Sequence, residues 1–148
     1  MTDHDDRYWL EQAIDLSRSC PPSETFNVGA IILDKSGEIL STGYSRETDP
    51  HDHAEEIAIK KLPLNDPRLA GSTIFSTLEP CSKRASRPRT CTELIIAAGI
   101  TRVVLAWREP NIFVDCEGVE LLTAAGLEVT EYPDLADAVR QINAHLLG

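Results

Sequence analysis

The sequence predicts an α/β fold: a three-layer α/β/α sandwich on a mixed five-stranded sheet, with an antiparallel N-terminal hairpin and then parallel strands. Three observations carry this. Two β-rich runs, Asn27 to Leu33 and Glu38 to Tyr44, are joined by the short turn Asp34-Lys-Ser-Gly37, which implies an antiparallel hairpin. Downstream, strand and helix patterns alternate twice, and a glycine ends each helix, as in Ala97-Ala-Gly-Ile-Thr101 and Ala124-Ala-Gly-Leu-Glu128. Two consecutive helical crossovers imply parallel strands, connected right-handedly.

Taken in order, residues 5 to 19 read as an amphipathic helix. Leu10, Ala13, Ile14 and Ser17 keep the i, i+3, i+4, i+7 spacing, acidic residues open it, and Pro21-Pro22 lies beyond its end. Tyr8 and Trp9 read as core or interface anchors. Gly29, inside the first strand, marks a close approach to the backbone, either by a ligand or by a packed helix. A polar loop from Ser45 to Asp52 leads into a helix from about His53 to Lys61, with Ala54, Ile57, Ala58 and Leu62 as its buried stripe. Thr73 to Thr77 is a strand, Cys91 to Ala98 a helix, and Arg102 to Ala106 a strand. Glu117 to Ala125 is a helix, Leu127 to Thr130 a strand, and Leu135 to Leu147 the last helix. No linker or low-complexity stretch intervenes, so residues 1–148 are expected to form one domain.

Composition narrows the function. A chain of 148 residues with 42% hydrophobic and 26% charged content suits one globular domain with a sizeable core. No apolar run approaches the ~20 residues of a membrane span, and the acidic N-terminus is unlike a signal peptide, so the expectation is a cytoplasmic protein. A net charge of −10 argues against broad nucleic-acid binding. One local exception is the basic set Lys83, Arg84, Arg87 and Arg89. In such a chain, four cysteines near histidine and glutamate point to metal before disulfides.

The chemistry gathers in His53-Ala-Glu55, Pro80-Cys81 and Cys91. Imidazole nitrogen and thiolate sulfur are zinc ligands, and a catalytic zinc keeps one of its four positions open for water. His53, Cys81 and Cys91 supply three ligands, leaving Glu55 as a proton carrier. The pattern resembles the H-x-E and P-C-x-x-C signature of zinc nucleobase deaminases, except that nine residues, Ser82 to Thr90, separate the two cysteines. A closed structural site would need a fourth ligand, with Cys20, Cys116 and His51 as candidates, but it would leave Glu55 without a role. Cys20 and Cys116 read more simply as a small buried residue and a loop residue.

At these residues the chain resembles the cytidine-deaminase-like superfamily, and within it the pyrimidine deaminase domain of riboflavin biosynthesis. The resemblance runs from Asn27 to Val129. It rests on Asn27-Val-Gly-Ala-Ile-Ile32, His53-Ala-Glu55, Leu78-Glu-Pro-Cys81 and Cys91-Thr-Glu-Leu-Ile-Ile-Ala-Ala-Gly-Ile100, with Arg102-Val-Val, Glu109-Pro-Asn111 and Gly118…Ala125-Gly126. The wide cysteine spacing is close to that branch. The resemblance implies zinc on His53, Cys81 and Cys91, Glu55 as proton shuttle, Asn27 as a substrate contact, and a homodimer or higher homo-oligomer.

It departs between the cysteines, where the branch typically has H-x-G-R-T-P-P and this chain has Ser82-Lys-Arg-Ala-Ser-Arg-Pro-Arg-Thr90. The branch's companion reductase domain is not expected here. The basic loop reads either as a holder of a substrate phosphate, since Arg suits bidentate recognition, or as a solvated charged loop. The expected substrate is a phosphorylated aminopyrimidine; the alternative is a free nucleoside, nucleotide or nucleobase. A tRNA- or DNA-editing deaminase and a non-catalytic zinc-binding module fit less well, the first because the chain is acidic and the second because of Glu55.

Overall fold

The computed structural model describes residues 5–23, 25–63, 65–82, 89–108 and 116–146. Helix α1 spans Asp6–Ser17, strands β1 Gly29–Leu33 and β2 Ile39–Tyr44 follow, and α2 is Ala54–Lys60. Then come β3 Thr73–Leu78, α3 Cys91–Ala98, β4 Arg102–Trp107, α4 Gly118–Ala124, β5 Glu128–Glu131 and α5 Ala136–Ile142, with short 3-10 turns at Pro67–Leu69, Pro133–Leu135 and Ala144–Leu146.

The five strands form one mixed sheet in the order β2-β1-β3-β4-β5. β1 is antiparallel to both β2 and β3, whereas β3–β4 and β4–β5 are parallel. Helix α1 lies against β1 and β3 and meets α5, while α2 lies against β2 and β1 and continues into α3 and then α4. The three layers and the hairpin-then-parallel order are those the sequence predicts.

Asp5 starts α1 by accepting the Tyr8 backbone N–H at 3.0 Å, and the helix buries Trp9, Leu10, Ala13, Ile14 and Ser17. Trp9 is in the core and the half-buried Tyr8 meets it edge-to-face at 5.0 Å. Side chains fully withdrawn from water, such as Leu10, Ile32, Ile74 and Leu105, each contribute about 1.5–3 kcal/mol. In α2 the stripe is Ala54, Ile57 and Ala58, while Leu62 is only half-buried, beyond the helix end. The last helix is shorter than its pattern suggests. Pro133 begins a 3-10 turn, and at Asn143 the backbone has left helical geometry (φ −106°, ψ 21°).

Two glycines fix the separation of the layers. A Cβ on Gly29 would lie 1.9 Å from the Ala13 carbonyl oxygen of α1, and one on Gly43 would lie 2.5 Å from the Ala54 carbonyl oxygen of α2. Gly29 therefore faces a packed helix, which settles the alternatives its sequence left open. The register Ala30↔Gly43 and Ala30↔Ser76 puts these three residues on the face that carries α2. Among the described residues, no helix is long and apolar enough to cross a membrane.

Gly29→Ala is expected to lose about 2–3 kcal/mol, because backbone must move. Gly99→Ala is expected to lose about 1 kcal/mol, because its φ of 86° is strained for alanine although nothing lies within 4 Å. Urea unfolding of the two variants checks this; equal losses would contradict the packing described.

Candidate active site

His53 is the extended residue before α2 (φ −87°, ψ 158°), and its backbone N–H donates to Glu56 Oε1 at 3.2 Å. Its Nδ1 lies 3.5 Å from Cys81 Sγ and 3.4 Å from Cys91 Sγ. Cys81 follows the end of β3, where the Glu79 N–H donates to the Trp107 carbonyl at 2.8 Å and continues the pairing beyond β3. Cys91 opens α3, whose start is set by Thr90 and Glu93: the Glu93 N–H donates to Thr90 Oγ1 at 3.2 Å, and the Thr90 N–H to Glu93 Oε1 at 2.9 Å.

The stretch carrying Cys81 is tied down on several sides. The Pro80 carbonyl accepts from Thr92 Oγ1 at 3.2 Å and from Cys116 Sγ at 3.4 Å, and the Cys81 carbonyl accepts from the Thr92 N–H at 3.1 Å. The buried Glu79 carboxylate accepts the Val119 N–H at 2.8 Å, so it holds the start of α4. A Cβ on Gly118 would lie 2.2 Å from the Pro80 carbonyl oxygen, so only glycine admits this contact.

The donor set suits zinc. Among the described residues, the group whose ligand atoms all lie within 4.8 Å of one another is His53, Cys81 and Cys91. A tetrahedral ion with metal–nitrogen distances near 2.0–2.1 Å and metal–sulfur distances near 2.3 Å has nitrogen–sulfur edges of about 3.5 Å. Both observed edges match that length. The Cys91 N–H donates to Cys81 Sγ at 3.2 Å, at the positive end of α3. The Cys81 thiol is pulled down to about 4, first by its hydrogen bond with Cys91 and then by His53, against desolvation.

Glu55 is the second residue of α2 and is 4% exposed, yet it is not one of the clustered donors. Ser76 Oγ approaches its Oε2 at 3.1 Å. Burial raises its pKa above the ordinary carboxylate range and negative charge on Cys81 adds to this, while His53 and Ser76 oppose. A carboxyl group that takes up a proton at modest cost is what proton carriage requires.

The candidates for a fourth ligand sit apart from this group. Cys20 Sγ contacts the Val28 carbonyl at 3.5 Å, Cys116 is the half-buried residue on the Pro80 carbonyl, and His51 is exposed. No disulfide joins any of the four cysteines. Asn27 is half-buried before β1. Its N–H donates to Asn143 Oδ1 at 2.6 Å, and its Oδ1 accepts from the Arg46 guanidinium. The Asn27 amide nitrogen is then the side chain's remaining polar group for a ligand. Arg89 is exposed and its charge acts on Glu93, whereas Lys83, Arg84 and Arg87 lie outside the described residues.

Sequence reading gave no role to Ser76, Glu79, Thr92 or Gly118, although the last three stand in the motifs quoted for the resemblance. Ser76 shows as a hydroxyl within the apolar run of β3; the roles of the others come from partners distant in sequence.

The family model described as the cytidine and deoxycytidylate deaminase zinc-binding region matches residues 3–107. A diaminohydroxyphosphoribosylamino-pyrimidine deaminase of Schizosaccharomyces pombe is 47% identical over 126 residues, covering 83% of this chain and 31% of that protein. Among solved structures, RibD of Acinetobacter baumannii superposes with a TM-score of 0.82 at 30% identity, covering 96% of this chain and 39% of the other. The Aspergillus oryzae Rib2 deaminase in complex with DARIPP gives 0.79 at 26% identity, covering 93% and 88%. The chain spans about a third of the length of the first curated relatives it matches, between 31% and 37%.

The donor geometry predicts that His53→Ala, Cys81→Ser and Cys91→Ser each weaken zinc binding by more than about 100-fold, beyond the usual loss of a supporting hydrogen bond. Glu55→Gln keeps the metal. Metal analysis after dialysis checks this, and a Glu55→Gln protein stripped of zinc would make Glu55 a ligand.

Proposed function

The chain belongs to the cytidine and deoxycytidylate deaminase zinc-binding family, and from that footing we propose that it hydrolyses an exocyclic amine of an aminopyrimidine to release ammonia. The substrate in this reading is a phosphorylated intermediate of the riboflavin-pathway type, in keeping with the printed name of the S. pombe relative. The observation that carries the reading is Glu55: a buried carboxyl beside a three-donor zinc site, but outside it.

In this reading His53 Nδ1, Cys81 Sγ and Cys91 Sγ hold the zinc. Once bound, the ion supplies Lewis acidity and brings its water toward a pKa of about 7. Glu55 takes a proton from the attacking water, passes it to the ring nitrogen, and then assists the amine in leaving as ammonia. The carbon–nitrogen bond breaks as the carbon–oxygen bond forms, so water and amine become carbonyl and ammonia. Asn27 contacts the substrate, and Lys83, Arg84, Arg87 and Arg89 hold its phosphate. The enzyme works as one domain over residues 1–148, as a cytoplasmic homodimer or higher homo-oligomer. Its partner is a small molecule, in keeping with an acidic chain that is no broad nucleic-acid binder.

A second reading, a deaminase of a free nucleoside, nucleotide or nucleobase, is favoured by the description of the matching family model. Ammonia release from phosphorylated and dephosphorylated forms of one aminopyrimidine, beside cytidine and deoxycytidylate, separates the two. The first predicts that the phosphorylated aminopyrimidine has the highest kcat/KM; a preference for cytidine or deoxycytidylate would overturn it. Glu55→Gln is expected to lower kcat by about 10²–10⁴ with zinc retained. Full turnover in that variant would remove Glu55 from the chemistry.

A further inference from the structure

We propose that Ser76 is a positioning residue for Glu55. Its hydroxyl holds Oε2 of the carboxyl group in place while that group takes up and gives back a proton. The proposal rests on the deaminase reading above.

Ser76 is fully buried in β3, between the apolar Ile74 and Phe75 and the strand's last residue, Leu78. A hydroxyl withdrawn from water costs stability unless it is hydrogen-bonded. Its register explains where it points. Ala30 faces both Gly43 and Ser76, and Gly43 is the residue pressed against the backbone of α2 at Ala54. Ser76 therefore faces the first turn of α2, where Glu55 follows Ala54. Its Oγ lies 3.1 Å from Glu55 Oε2 across a sequence separation of 21 residues.

The second contact gives this arrangement its use. Ser76 Oγ also lies 2.7 Å from the Leu78 carbonyl oxygen, at the start of Leu78-Glu-Pro-Cys81. A hydroxyl has one proton and two lone pairs. Turned toward Oε2, it donates to a carboxylate; turned toward the Leu78 carbonyl, it accepts from a carboxylic acid. Glu55 is thereby held at one place whether or not it carries a proton. The anchor belongs to the strand that delivers Cys81, so carboxyl and sulfur keep one spacing. No alkyl side chain does this.

The test uses the zinc-loaded full chain and the variants Ser76→Ala and Ser76→Thr. Losing a hydrogen bond to a charged group should lower kcat about 10- to 100-fold in Ser76→Ala, with KM and zinc content unchanged. Ser76→Thr, which restores the hydroxyl, should recover to within about 3-fold of wild type. A readout independent of turnover is the infrared carboxyl band of Glu55, isolated as wild type minus Glu55→Gln. It should shift in Ser76→Ala and return in Ser76→Thr. Should Ser76→Ala not fold, Ser76→Cys keeps the site filled with a weaker donor and should give an intermediate kcat. An unchanged kcat and band in Ser76→Ala overturn the proposal. So do equal losses in both variants accompanied by a lowered Tm, which would mark packing alone. If the wild-type enzyme works and Ser76→Ala matches it, only this inference falls. If wild type releases no ammonia from any of the substrates named above, the deaminase reading falls and takes this inference with it.

Discussion

Two sulfurs and an imidazole nitrogen converge at one end of the sheet, each sulfur within 3.5 Å of the nitrogen and with a buried carboxyl close by. Lone pairs gathered so closely in a poorly hydrated place repel one another unless something positive lies between them. The protein meets part of that cost with the Cys91 N–H and the start of α3, which favour charge on Cys81. A divalent cation held between them would offset the rest, since two thiolates balance its charge. The affinity of the Glu55 carboxyl group for a proton is raised first by its burial and then by negative charge on Cys81.

The fold supplies this convergence through close backbone contacts more than through long side chains. Gly43 lets α2 settle onto β2, which carries His53 and Glu55 down to the sheet. Gly118 lets α4 reach the Pro80 carbonyl, and Glu79 holds that helix start by the Val119 N–H. A Cβ at either glycine would lift a helix by a fraction of an ångström or more. Metal ligands tolerate little of that, so the packing of two helices and the aim of the donors are one constraint.

How much of this was legible in the sequence follows the range of each interaction. Helix α3 begins and ends where expected because its signals are local: Thr90 and Glu93 at the start, Gly99 at φ 86° after the end. The cluster of His53, Cys81 and Cys91 was legible because ligand chemistry restricts residue type. The C-terminal helix was overdrawn: α5 ends at Ile142, and at Asn143, tied by its side chain to Asn27 far away in the chain, the backbone has left helical geometry. Gly29 was ambiguous for a similar reason, because only the register and the position of α1 say which group approaches it. The partners of Ser76 and Glu79, which are Glu55 and the Val119 N–H, lie 21 and 40 residues away, beyond the reach of a local reading. The roles of Lys83, Arg84 and Arg87 rest on residue type alone, as they lie outside the described residues.

The wide separation of the cysteines follows the same logic. A short P-C-x-x-C turn brings two sulfurs together by local geometry, whereas here nine residues intervene. Lengthening a closed segment from two residues to nine costs only about 1.3 kcal/mol of loop entropy. That is small beside the roughly 10–16 kcal/mol that structural zinc contributes on binding. The closure that matters is made at the ends, by the Cys91 N–H on Cys81 Sγ and by both donors of Thr92, on the Cys81 and Pro80 carbonyls. Held at these ends, the sulfurs of Cys81 and Cys91 stay together although nine residues separate them in sequence.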